Sequence, residues 1–145
     1  MLGEDAAPGA IQAIANPLDS PGELKWFEEP PRPREIIAAA NERGIGVMGI
    51  RMAGAGALTD AIDRELPDDS PILADFHRAQ PLRDLARGLG ESTAALALRY
   101  VLSMPRVDTV VLGVKNRDEL RDSLAAAERE PLPVETVEQN LERAT

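Results

Sequence analysis

Arg51 stands between two stretches of very different character. Residues 45–50, IGVMGI, are a short apolar run that predicts a buried strand, whereas residues 52–58, MAGAGAL, are small and poor in functional groups. A planar guanidinium beside a loop whose glycines allow close backbone approach suits an anionic ligand. Turn geometry alone could also explain the glycines, and a salt bridge to one of the 25 acidic residues could explain Arg51.

Few other side chains offer chemistry. The chain has one histidine, His77, one tyrosine, Tyr100, and no cysteine. This composition argues against a His-centred triad and a multi-histidine metal site. It also excludes a thiolate nucleophile. We expect no metal site. We also expect His77 and Tyr100 to have packing or surface roles, because both fall within predicted helices.

Composition favours one folded domain over residues 1–145, with a flexible N-terminal extension at 1–9. Hydrophobic residues make up 43% and charged residues 28% of the chain, which is ordinary for a globular protein. The net charge of −9 disfavours nucleic acid or an anionic membrane as a partner. No apolar run approaches the roughly 20 residues that span a bilayer. Without cysteine or a secretory signal, we expect a cytoplasmic location.

The elements that position Arg51 alternate between strands and helices. Apolar runs predict strands at 10–15, 45–50 and 108–113. Periodicity and capping residues predict helices at 33–43, 58–66, 75–90, 92–104, 116–128 and 134–144. Thr59 or Asp60 would cap the second of these helices, Pro81 could split the third, and Trp26 and Phe27 would pack as a plug. This order predicts parallel strands joined by helical crossovers.

Several helix faces are expected to be buried. They are Ile36, Ile37 and Ala40 in the first helix, Ala94, Leu98, Val101 and Leu102 in the fourth, and Leu120, Leu124 and Ala127 in the fifth. Three parallel strands cannot close a barrel, and their edges stay open. We therefore expect that the chain is not a stable monomer.

Four segments, in their order and spacing, resemble the C-terminal half of the aldo-keto reductases, the NADPH-dependent (β/α)8-barrel oxidoreductases. They are IQAIANPLD, ERGIGVMGIRMAGAGAL, STAALALRYVLSMPRVDTVVLGVKNRDELRDSLAAAE and PLPVETVEQ, within residues 11–139. The resemblance implies an α/β fold of parallel β/α units that form the C-terminal half of a (β/α)8 TIM-type barrel, with strands six to eight and their helices. It implies an oxidoreductase that uses NADP(H).

The resemblance also implies roles for single residues. Gln12 matches the glutamine that binds the nicotinamide carboxamide, and Ile50 replaces the tyrosine that stacks on the nicotinamide ring in many members. The loops after strands seven and eight commonly build the phosphate site in such barrels. The pyrophosphate residues would be Arg51, Ala53, Gly54 and Gly56. The adenosine 2′-phosphate and adenine residues would be Gly113, Val114, Lys115, Asn116, Glu119, Arg121, Asp122 and Ser123.

Two features of the adenosine turn leave alternatives open. Asn116 is also a good helix N-cap, and Glu119 completes a capping-box arrangement, so capping and cofactor binding are both compatible with these residues. Lys115 is the best candidate to distinguish NADPH from NADH. Glu119 and Asp122 are unfavourable near a 2′-phosphate, which leaves room for NADH or for no cofactor.

The family's catalytic Asp, Tyr, Lys and His come from the first four strands, which this chain lacks. A complete barrel of this type needs about 250 residues. We therefore expect carbonyl reduction only when a complementary half-barrel chain supplies the missing residues. The alternative is a non-catalytic half-barrel that self-associates as a nucleotide-binding or interaction scaffold. The expected partners are a nicotinamide dinucleotide and either another copy of the chain or the complementary half.

Overall fold

The computed structural model describes residues 8–24 and 31–142. The strands are β1 (Ala10–Ile14), β2 (Gly46–Ile50) and β3 (Thr109–Val110). The helices are α1 (Pro33–Glu42), α2 (Pro71–Arg78), α3 (Gln80–Leu89), α4 (Thr93–Ser103), α5 (Arg117–Ala127) and α6 (Val134–Glu142), and Gly54–Gly56 forms a 3-10 turn. Most of the N-terminal extension, the Trp26–Phe27 plug and the end of the last predicted helix lie outside the described residues.

The three strands form one parallel sheet in the order β1-β2-β3. Ile14 lies beside Ile50, and Gly49 lies beside Val110. The Val111 N–H donates to the Gly49 carbonyl over 2.9 Å, so β2 and β3 end next to each other. The predicted parallel β/α arrangement is confirmed. The residues that follow β2 and β3 are consequently placed at one edge of the sheet.

The third strand is shorter than the predicted 108–113. Its bonds to β2 run only from Asp108, whose N–H donates to the Val47 carbonyl at 2.9 Å, to Val111. The Asp108 carboxylate accepts a hydrogen bond from the Val47 N–H at 2.7 Å. Since β2 ends at Ile50 and the chain turns away at Arg51, no ladder partner remains for residues 112 and 113.

Local capping signals placed most helices correctly. Pro33 begins α1, and Gly44 follows its end with a φ of +67°, a left-handed conformation that glycine adopts readily. Ser92 caps α4 by accepting the Ala95 N–H at 3.2 Å. The predicted split near Pro81 is confirmed, because α2 and α3 meet at Ala79.

The helix predicted at 58–66 is absent, since no helix covers these residues. The two expected capping side chains bond elsewhere. The Thr59 hydroxyl donates to the Gly56 carbonyl at 2.7 Å, and Asp60 accepts the N–H and hydroxyl of Thr93 at the start of α4. The segment is therefore held as a loop by contacts with distant parts of the chain.

Several predicted buried faces are only partly buried. Ile37 and Ala40 are in the core, but Ile36 is exposed; Leu98 and Val101 are in the core, but Leu102 is exposed. In α5 the prediction is wrong, because Leu120 and Leu124 are exposed and Ala126 is the buried residue. The described sheet stops at β3, so α5 packs against α4 and leaves its leucines on the open side.

The hydrophobic core lies between the sheet and α1, α3, α4 and α6. Tyr100 is fully buried there, and its hydroxyl bonds to Arg34 on α1 and to Glu138 on α6. None of the helices within the described residues has the length and apolar character needed to cross a membrane.

Candidate functional site

A cleft of about 500 Å³ opens where β2 and β3 end. Most of the residues predicted to bind a cofactor line this cleft, although they come from two distant parts of the chain: the loop after β2, and the loop after β3 with the first two turns of α5. They are Arg51, Ala53, Gly56, Gly113, Val114, Lys115, Glu119, Asp122 and Ser123. The carboxyl ends of neighbouring parallel strands meet at one edge of a sheet, and this geometry explains why the two loops converge.

The other predicted site residues lie outside the cleft lining. Gln12 is exposed on β1, one strand further away, and Ile50 is half-buried at the end of β2. Gly54 is buried within the 3-10 turn. Asn116 is occupied as the cap of α5, and the Arg121 guanidinium pairs with Asp118 at 2.8 Å on the solvent side.

Arg51 is the most unusual cation of the cleft. Its φ of +63° is left-handed, a conformation that costs a non-glycine residue roughly 1–2 kcal/mol. Its Nη2 donates to the Pro21 carbonyl at 3.0 Å, while its buried Nε has no hydrogen-bond partner in the described structure. Arg51 forms no ion pair with any described residue. The salt-bridge explanation thus finds no partner within residues 8–24 and 31–142.

The small-residue loop is a tight turn. Gly54, Ala55 and Gly56 all have positive φ, and a Cβ added at Gly56 would lie 3.3 Å from Arg64 Nη1. The N–H groups of Gly54 and Gly56 donate to the Arg51 and Ala53 carbonyls, both at 2.9 Å. These N–H groups are therefore used within the turn, and the guanidinium of Arg51 is the main donor that this loop presents.

Lys115 stands in a more acidic environment. Its ammonium pairs with Asp63, and Glu119 and Asp122 also line the cleft. The Lys115 N–H donates to Glu119 Oε2 at 2.8 Å. Asn116 Oδ1 accepts the N–H groups of Asp118 at 3.0 Å and Glu119 at 2.9 Å, so the predicted N-cap is confirmed.

Part of the lining was not predicted from the sequence, namely Met52, Ala55, Thr59, Arg64, Ser92, Ala94, Ala95 and Val111. Arg64 is the important omission, since its Nη2 donates to the Ala55 carbonyl at 2.8 Å and so fastens the loop after the turn to the turn itself. Arg64 was not predicted because the expected helix at 58–66 does not place its side chain beside Ala55. The observed loop brings the two residues into contact.

The two residues set aside as catalytic candidates lie outside the cleft. His77 is exposed on α2, and Tyr100 is buried between α1 and α6. Burial raises the pKa of Tyr100 above its usual range, although Arg34 acts in the opposite direction. Within residues 8–24 and 31–142, no group of three or more His, Asp or Glu side chains is placed to hold a metal ion.

The chain belongs to the aldo/keto reductase family, whose model matches residues 4–142. It is 31% identical over 100 residues to the uncharacterized oxidoreductase YrpG of Bacillus subtilis (strain 168), an alignment that covers 65% of this chain and 31% of the relative. The protein is therefore related to an oxidoreductase, and the match spans only about a third of that relative's length.

Solved structures give the same fold. The holo form of aldo-keto reductase AKR11C1 from Bacillus halodurans superimposes with a TM-score of 0.63 at 22% identity, over 92% of this chain and 41% of that chain. The apo form gives a TM-score of 0.65 at 22% identity, over 97% and 44%. The α/β fold with parallel strands is thus similar to that of the aldo-keto reductase TIM barrel.

Proposed function

We propose that this chain is the NADP(H)-binding, C-terminal half of an aldo-keto reductase-type barrel, with β1, β2 and β3 as strands six, seven and eight. Membership of the family, the parallel strand order and the converging loops support this assignment. Carbonyl reduction then requires the catalytic half from another source. A cytoplasmic location agrees with the absence of cysteine.

The observation that carries the proposal is the state of Arg51. A half-buried guanidinium that forms no ion pair with residues 8–24 or 31–142 lines a cleft whose neighbouring turn is made of small residues. An anionic group in the cleft would pair with this guanidinium by charge-assisted hydrogen bonds. A dinucleotide pyrophosphate has the charge and size for this position, so the residues present fit the group.

Lys115 and α5 would hold the adenosine end. A helix dipole favours a negative charge at the N-terminus, and Lys115 immediately precedes Asn116, the N-cap of α5, whose Oδ1 already accepts the N–H groups of Asp118 and Glu119. Asp63 pairs with the same ammonium, so a 2′-phosphate would compete with a carboxylate already in place. The preference for NADPH over NADH should therefore be modest.

The chain's own residues would bind and orient the cofactor, whose nicotinamide supplies hydride chemistry when bound. They would not donate a proton to a carbonyl, since Tyr100 is enclosed by Arg34 and Glu138 in the core and His77 lies on α2, away from the cleft. This division of roles is why we assign binding to this chain and proton transfer to a partner.

Exposed apolar side chains favour a second candidate function, a self-associating scaffold. Val111, Val114, Leu120 and Leu124 are all 39–56% exposed at the β3–α5 side of the molecule. A second copy that covered this side would remove these side chains from water without completing a catalytic site. Such a scaffold could bind a nucleotide or no ligand at all.

The test is a titration of the purified chain with NADPH and with NADH, followed by the fluorescence of the reduced nicotinamide, together with the mass in solution by light scattering. The proposal expects saturable NADPH binding that weakens in Lys115→Ala and is unchanged in Arg87→Ala, an exposed arginine of α3. A stable oligomer that binds neither nucleotide would support the scaffold and overturn the proposal.

A further inference from the structure

Asn16 is a fully buried polar residue at the end of β1, with 1% of its surface exposed. Its Nδ2 donates to the carbonyls of Ser20 at 2.9 Å and Arg51 at 3.2 Å. Its Oδ1 accepts the N–H groups of Leu18 at 3.1 Å and Ser20 at 3.2 Å. An asparagine amide has two donor hydrogens and two acceptor lone pairs, and all four are used here.

One of these bonds extends the sheet beyond its backbone ladder. The last ladder contact between β1 and β2 joins the Ala15 N–H to the Ile50 carbonyl at 2.9 Å. One residue further on, the Asn16 side chain donates a hydrogen bond to the Arg51 carbonyl. The same carbonyl also accepts the Gly54 N–H at 2.9 Å. Arg51 has a strained backbone, and such a conformation persists only where the surroundings hold it.

The same amide also shapes the loop that receives the Arg51 guanidinium. By bonding both the N–H and the carbonyl of Ser20, Asn16 folds residues 16–20 into a closed turn. The next residue, Pro21, then offers its carbonyl to Arg51 Nη2 at 3.0 Å. Gly22 leaves room for this contact, since an added Cβ would lie 3.2 Å from Nη2.

We infer that Asn16 is the positioning residue for Arg51, acting on its backbone carbonyl directly and on its guanidinium through the loop at 16–21. The inference rests on the proposed function, in which Arg51 binds the pyrophosphate of the dinucleotide. Asn16 itself does not line the cleft, so its effect on a ligand must pass through Arg51.

The first arm of the test needs no ligand. Phenylglyoxal modifies arginine side chains, and peptide mapping reports the rate at each site. Asn16→Ala should raise the modification rate of Arg51 several-fold, because local opening frees the guanidinium, while exposed Arg87 keeps its rate. Asn41→Ala is the matched control, since it removes an asparagine amide that donates to the Ile37 carbonyl at 3.2 Å and to the Arg106 carbonyl at 3.0 Å, and not to Arg51 or to the loop at 16–21.

The second arm is a double-mutant cycle in NADPH affinity. Asn16→Ala should weaken binding about tenfold in the wild-type background and by less than about twofold in the Arg51→Ala background. If Asn16→Ala does not fold, as judged by circular dichroism, Asn16→Ser takes its place, because it keeps a neutral polar group in the turn while shortening the side chain that donates to the Arg51 carbonyl.

Each result decides a different point. An unchanged Arg51 modification rate in the Asn16 variant overturns the inference, as does an affinity loss of equal size in both backgrounds. If the wild-type chain binds no NADPH, the proposed function fails, and the phenylglyoxal rates still decide whether Asn16 positions Arg51.

Discussion

Arg51 follows β2 and Lys115 follows β3, and the two cations line the same cleft in different surroundings. Arg51 is half-buried, is held by neutral carbonyl and amide groups and has no ion pair among the described residues. Lys115 is exposed and already paired with Asp63. Among the described residues the charge of Arg51 is not compensated by a carboxylate, whereas the charge of Lys115 is compensated by Asp63.

The difference predicts unequal contributions to binding. An anion at Arg51 would accept hydrogen bonds from a guanidinium that is partly shielded from water. Such charge-assisted bonds contribute strongly to affinity in a half-buried site. An anion at Lys115 must displace or share the Asp63 carboxylate in a solvated position, where ion pairs contribute little. Affinity should thus come from the Arg51 end, and Lys115 should mainly distinguish NADPH from NADH.

The largest effect is expected for Arg51→Ala. It should weaken NADPH and NADH binding equally, by about tenfold or more, because both carry the pyrophosphate and a hydrogen bond to a charged group contributes roughly 1.5–3 kcal/mol. Lys115→Ala should weaken NADPH alone, and by less. Titrations of both variants with both nucleotides measure this, and an equal loss in the two variants would remove the distinction between the two ends.

Gly49→Ala tests the packing behind the Arg51 end. An added Cβ would lie 3.1 Å from Ala15 Cβ and Val101 Cγ1 and 3.2 Å from Val107 Cγ1, so three buried or half-buried neighbours would each have to give way by a few tenths of an ångström. We expect a loss of about 1–3 kcal/mol in the free energy of unfolding. Gly88→Ala is the control, since its Cβ meets nothing within 4 Å on α3, and it should stabilise by roughly 0.5–1 kcal/mol. Urea denaturation of both variants decides the point, and equal stabilities would count against close packing at Gly49.

Asn116→Ala tests the packing and capping of α5 beside Lys115, as Gly49→Ala tests the packing beside Arg51. Loss of the N-cap of α5 should lower the free energy of unfolding by about 1 kcal/mol. Ser70→Ala removes the N-cap of α2, whose hydroxyl accepts the Ile72 N–H at 3.2 Å. Ser70 does not line the cleft, and its loss should lower the free energy of unfolding by a similar amount. Only Asn116→Ala should also weaken NADPH binding. If NADPH affinity is the same in both variants, Asn116 serves the helix alone.

The smallest effect is expected for Asp63→Asn, which removes the carboxylate paired with Lys115. NADPH binding should strengthen about twofold to fivefold, the range expected for an exposed ion pair, while NADH binding stays unchanged. Asp118→Asn is the matched control, because Asp118 pairs with Arg121 outside the cleft. A parallel change for NADPH and NADH would show that Asp63 does not compete with the 2′-phosphate.

Much of the fold was predictable because its signals are local. Apolar runs marked the strands, and Pro33, Gly44, Ser92 and Asn116 marked helix ends through backbone geometry that depends on nearby residues only. The leucines of α5 misled the prediction, since periodicity identifies an apolar face but does not say whether another element covers it.

The parallel β/α order, most helix ends and the two loops that meet at one edge of the sheet followed from the sequence alone, whereas the cap expected at Thr59 or Asp60 did not form. Tertiary structure decided the partners of the charged groups, for example Asp63 with Lys115 and Asp60 with Thr93, and it decided the conformation of the loop at 58–66. Such pairs join residues more than 30 positions apart, and their formation depends on how the elements pack. For the same reason, only the folded chain revealed that Arg51 has no ion pair among residues 8–24 and 31–142 and that the Asn16 amide donates to its carbonyl.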